Sequence, residues 1–92
     1  MKAGAKKTNR QAVRLAATTL ILAEGSTTTL GVKTHLRNRG YEAYQAVVSK
    51  LLFLVAEQEK WAVNDNGTYR VYYFPNLRAL PPYLTNRAKK NN

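Results

Sequence analysis

Cysteine is absent from this chain, and that one absence removes disulfides, thiolate nucleophiles and cysteine-ligated metal centres together. Acidic residues are scarce. The only aspartate, Asp65, lies in a turn-like stretch, and Glu57 and Glu59 are two apart, so on a helix they point in different directions. Histidine occurs once, at His35. No carboxylate cluster, glycine-rich phosphate loop or nucleophile–histidine–acid set is present, so neither a metal, a cofactor nor enzymatic activity is expected. Long apolar runs are missing too. The nearest, Ala12 to Ala23, is interrupted by Arg14, Thr18 and Thr19, far short of the ~20 apolar residues of a membrane span. The expectation is a cytoplasmic protein, nucleoid-associated if cellular, with no membrane partner.

What remains is a chain of 92 residues, 45% apolar, which is one domain's worth with enough apolar surface for a core. Its dominant feature is charge: fifteen Lys and Arg against five Asp and Glu, a formal net charge of +10. Lys2, Lys6, Lys7, Arg87, Lys89 and Lys90 sit near the ends, yet without those six the body still holds nine basic residues against five acidic ones. Such an imbalance fits a polyanionic partner, because each neutralised phosphate releases condensed counterions.

Residues 1–8 are small and basic and read as a disordered arm. A first helix follows over Arg10–Glu24, with Thr8 or Asn9 as cap and Gly25 as stop. Val13, Ala16, Ala17, Leu20 and Ile21 form one apolar stripe at helical spacing. Leu15, Thr19 and Leu22 form a second on the far side. A surface helix carries one apolar face, so the second stripe asks for a cover. Ser26 to Thr29 is β-favouring and also capping chemistry. Leu30–Arg39 reads as a second helix ended by Gly40, and Tyr41–Glu59 as a longer third one with Tyr44, Val48, Leu51, Leu52 and Val55 inward. The period then changes to two: Trp61–Val63 and Tyr69–Phe74 are strands around Asn66-Gly67, a strong hairpin signal. Pro75 stops the ladder. Residues 75–92 form a proline-containing tail, its first half, with Leu80 and Tyr83, packing on the domain or a second subunit, and its basic end disordered.

The order of helix, Thr-rich extended piece, helix, tight turn, helix and hairpin is carried by Leu30–Gly40, by Val48-Ser49-Lys50-Leu51-Leu52 with Val55, and by Trp61–Phe74. Over residues 9–74 the chain thereby resembles the winged helix-turn-helix superfamily. The resemblance implies an α+β domain of three helices and a C-terminal β-hairpin wing, the third helix entering the major groove and the wing lying on the backbone or minor groove. Such proteins often carry a glycine between recognition helix and wing; this chain has Glu57-Gln58-Glu59-Lys60 instead.

The candidate contacts follow from residue chemistry. On the third helix, Gln45 suits adenine, Lys50 suits guanine or phosphate, and Ser49 suits either. Lys33 and Arg37 share a face of the second helix without an acidic partner, and with Arg39 they suit phosphate clamping. Arg70 is the wing's candidate contact. Phe53 faces outward as a partner contact, whereas Tyr69, Tyr72, Tyr73 and Phe74 opposite Trp61 read as core rather than a stacking platform. Duplex DNA is the expected partner, ahead of RNA, for a transcriptional regulator or DNA-organising factor. Leu15, Thr19, Leu22, Leu80 and Tyr83 are the candidate contacts of a homodimer, and the alternative reading is a winged-helix module or inhibitor that binds a protein partner.

Overall fold

The computed structural model describes residues 5–75, which form three helices and two small sheets. The strands and helices run β1 (Lys6–Lys7), α1 (Arg10–Glu24), β2 (Thr27–Thr28), α2 (Thr29–Asn38), β3 (Tyr41–Glu42), α3 (Gln45–Glu59), β4 (Ala62–Asp65) and β5 (Arg70–Tyr73). The tail beyond Pro75, with Leu80 and Tyr83, lies outside the described residues.

Helix α1 begins and ends where its caps require. The Asn9 side chain accepts a hydrogen bond from the Ala12 amide at 2.8 Å. Gly25 takes the left-handed conformation, φ 93°, and donates its N–H to the Ile21 carbonyl. Val13, Ala16, Ala17 and Ile21 are buried, and burying a Val or Ile side chain contributes about 1.5–3 kcal/mol each. The second stripe is bare: Leu15 is 68% and Leu22 65% exposed. Thr19 turns its hydroxyl back onto the Leu15 carbonyl at 2.9 Å.

The threonine run serves twice, as its composition suggests. Thr27 and Thr28 pair antiparallel with Tyr72 and Val71, adding β2 to β5 in a three-stranded sheet of order β2-β5-β4. Thr28 is also the cap of α2, its hydroxyl accepting from the Gly31 amide at 3.1 Å. Gly31 sits in a tight place: a Cβ there would stand 3.0 Å from the Thr27 hydroxyl, so its absence lets α2 lie close on β2.

Two expectations are corrected here. Residues 5–8 of the basic arm are ordered, Lys6 and Lys7 pairing in parallel with Tyr41 and Glu42, while residues 1–4 lie outside the described residues. The third helix starts at Gln45, not Tyr41, since Gly40 turns the chain at φ 88° and the next two residues extend to form β3. Tyr44, expected inside, is the exposed residue preceding α3. Val48, Leu52, Val55 and Ala56 carry the helix into the core with Val32, Leu36, Ala43 and Tyr72.

The missing glycine has a structural counterpart. Lys60 ends α3 in the left-handed region, φ 63° and ψ 39°, and donates its N–H to the carbonyls of Ala56 and Glu57. A lysine thus holds the cap conformation that glycine takes without steric cost. The result is an α+β fold whose helices and antiparallel sheet are compatible with a winged helix.

Candidate nucleic-acid interface

Three elements meet around an open groove of about 570 Å³. The β2–α2 junction contributes Thr28, Thr29 and Leu30, the first turns of α3 contribute Gln45 and Ser49, and the β4–β5 hairpin contributes Asp65, Tyr69 and Arg70. Helical spacing explains the α3 pair: residues 45, 49 and 53 are four apart and share one face, and Phe53 continues the row toward the hairpin.

The loop is tied by its own side chains. Asp65 accepts from the Gly67 amide at 2.9 Å, and Asn66 accepts from the Thr68 and Tyr69 amides at 2.9 and 3.0 Å. Arg70 is held on two sides. Its Nε lies 3.4 Å from Asp65, and its guanidinium sits over the Phe53 ring, 4.7 Å from the centroid. Its pKa is raised first by the neighbouring Tyr72 hydroxyl and then by Asp65. That hydroxyl is close without being bonded: it is buried and has no hydrogen-bond partner among the described residues. Phe53 faces outward as expected, 36% exposed, and also seats Arg70. A cation–π contact of this exposed kind limits where the arginine points.

The remaining basic residues separate from the groove. Arg37 donates its Nε to the Ala43 carbonyl at 2.8 Å, stapling the end of α2 to the approach of α3. Arg39 donates its Nε to His35 Nε2 at 2.8 Å. That bond requires a neutral imidazole, and His35 is shifted below the ordinary histidine value, first by burial and second by Arg39. Arg37 also lies in the last turn of α2, where a cation complements the helix dipole. Lys33 is half-buried on α2, and Lys50 is exposed on α3 beside Ser49 but outside the groove lining.

The structure therefore brings Gln45, Ser49 and Arg70 together, supported by Phe53, and places Arg37 and Arg39 at the opposite end of α2. Thr28, Thr29, Leu30, Asp65 and Tyr69 complete the groove and escaped sequence reasoning. The exposed Leu30, early in a helix whose inward positions are Val32 and Leu36, was the available signal. Among the described residues no helix is long and apolar enough to cross a membrane, and no group of three metal-ligating side chains occurs.

No family model matches the chain, and neither a curated protein nor a solved structure matches it.

Proposed function

We propose that this protein is a non-catalytic winged helix-turn-helix binder of duplex DNA, a transcriptional regulator or a DNA-organising factor. One observation carries the reading: Gln45, Ser49 and Arg70 converge on a single open groove between α3 and the β4–β5 loop, in a chain of net charge +10. In this arrangement α3 enters the major groove. The Gln45 amide pairs with an adenine edge, and Ser49 and Lys50 contact neighbouring bases or phosphates. Arg70 and the hairpin, acting as a wing, lie against the backbone, with Lys33, Arg37 and Arg39 on further phosphates. The exposed Leu15–Thr19–Leu22 face of α1 takes no part in lining this groove and serves a homodimer, the usual state for paired half-sites.

The second reading, a protein-interaction module, is favoured by apolar exposure on α3 itself, where Val47 and Leu54 are 42% and 39% exposed. Fluorescence anisotropy against a mixed-sequence duplex of about 25 base pairs separates the two. Under the DNA reading, binding steepens as salt falls, and Lys33→Ala/Arg37→Ala/Lys50→Ala lowers the salt slope by about one per lost phosphate contact. Absence of binding at low salt, or a triple variant identical to wild type, overturns it in favour of a protein partner. RNA stands behind both, since the layout offers a helix for a wide groove rather than an aromatic platform.

A further inference from the structure

The N-terminal arm is fastened at successive points. Lys6 donates its backbone N–H to the Gly40 carbonyl at 2.9 Å. Lys6 and Lys7 run in register with Tyr41 and Glu42. The Thr8 hydroxyl donates to the Glu42 carbonyl at 2.6 Å, and Asn9 then caps α1. The Lys6 ammonium lies over the Tyr41 ring, 4.9 Å from its centroid. These bonds hold Lys6 and Lys7 beside the Gly40 turn that follows Arg37 and Arg39, and Arg10 comes next on the chain as the first residue of α1.

All five of those cations are exposed. Glu42, in register with Lys7, is the one acidic residue on β1, β3 and the turn at Gly40, and the single ion pair among the described residues, Arg70 with Asp65, lies elsewhere. Arg37 and Arg39 each use Nε on an internal acceptor. That fixes the plane of each guanidinium and leaves its terminal N–H groups for an external oxygen.

Position decides what this surface fits. It stands at the C-terminal end of α2, while the groove stands at the N-terminal end. Ten residues of helix span about 15 Å, against a major groove about 12 Å wide. Helix α3 starts three residues beyond β3, and its first residue, Gln45, lines the groove. The start of the reading helix thus adjoins both cationic sides.

We propose that the fastened arm, with Lys6, Lys7 and Arg10 beside Arg37 and Arg39, is a built phosphate-contact surface for the strand opposite the one held by Arg70 and the hairpin. This inference rests on the duplex reading above and deepens it: the arm is a positioned contact, not a loose tether. Two properties follow. Its contribution is electrostatic and independent of base sequence. It also depends on docking, so losing the Thr8 bond weakens binding with no change in charge.

The test uses the full chain and the same duplex over a salt series, comparing wild type with Lys6→Ala/Lys7→Ala, Thr8→Val, Thr8→Ser and Gln45→Ala/Ser49→Ala. Circular dichroism melts establish that each variant is folded. Lys6→Ala/Lys7→Ala is expected to lower the salt slope by about two and to weaken all duplex sequences alike. Thr8→Val is expected to weaken binding about threefold to tenfold, one hydrogen bond's net contribution, and Thr8→Ser to restore it. A Lys6→Ala/Lys7→Ala slope equal to wild type, or a Thr8→Val affinity equal to wild type, overturns the inference. If wild type binds the duplex and only Gln45→Ala/Ser49→Ala weakens it, the arm proposal falls and the duplex reading stands. If wild type binds no duplex at low salt, both fall.

Discussion

Arg37 and Arg39 carry the same charge two residues apart, yet only one is built into the fold. The Arg37 Nε donates to the Ala43 carbonyl at 2.8 Å, and Ala43 is 1% exposed. Removing the donor leaves that carbonyl where water reaches it poorly. An orphaned buried acceptor costs about 1–3 kcal/mol, and the exposure of the arginine itself places the loss in the lower part, about 1–2 kcal/mol. For a domain of this size that lowers the melting temperature by about 5–15 °C. Arg39 bonds to His35 at the surface, so its loss costs less than about 0.5 kcal/mol. Arg37→Met and Arg39→Met keep an apolar stem and remove one charge each. Circular dichroism melts are expected to separate them clearly, while their duplex salt slopes fall by the same amount, about one. Equal melts for the two variants would refute the reasoning, because the Ala43 bond would then contribute nothing.

Three further outcomes follow from local geometry. Lys60→Gly relieves a left-handed lysine and is expected to raise stability by about 0.5–1 kcal/mol in urea melts; a loss of stability contradicts the strain. Tyr72→Phe removes a buried hydroxyl that has no hydrogen-bond partner among the described residues and is expected to be neutral or stabilising by up to about 1 kcal/mol, whereas a clear loss means that the hydroxyl is engaged. His35 has a folded pKa below its unfolded value of 6.5, so the unfolded chain takes up the proton first. Stability is therefore full above about pH 6.5 and falls with pH across the window down to the folded value. His35→Gln should flatten that part of the stability profile, and a variant with the wild-type pH dependence counts against it.

Much of the fold is legible in the sequence because its signals are local. Asn9 and Gly25 bound α1 within one residue of their roles, and Asn66-Gly67 marks the turn between β4 and β5. The threonine run is read as both strand and cap because both depend on its own hydroxyls and β-branching. The start of α3 is not legible. Tyr41 stands at helical spacing from Tyr44 and Val48 and so continues a helix on paper, and what extends Tyr41 and Glu42 is pairing with Lys6 and Lys7, more than thirty residues earlier. A two-residue parallel ladder leaves no periodic trace.

The same reason divides the candidate site. Helical spacing puts Gln45 and Ser49 on one face, and the fold brings them to the groove. Spacing also puts Lys33 beside Arg37, but it is silent on which carbonyl lies across from a guanidinium, so the Ala43 staple is invisible beforehand. Phe53 is similar: its outward position is legible, whereas the Arg70 guanidinium that covers it comes from a strand after the turn. The Leu15 and Leu22 exposure follows directly from the double stripe.

The central claim is that the groove face of α3 meets duplex DNA. A titration of the ¹⁵N-labelled protein with a 25-base-pair duplex, followed by amide and side-chain shifts, addresses it residue by residue. The account predicts the largest changes at Thr28–Leu30, Gln45, Ser49, Lys50 and Arg70, with a second set at Lys6 and Lys7. Changes confined to the Leu15–Leu22 face of α1, or a spectrum unmoved by excess duplex at low salt, would contradict it.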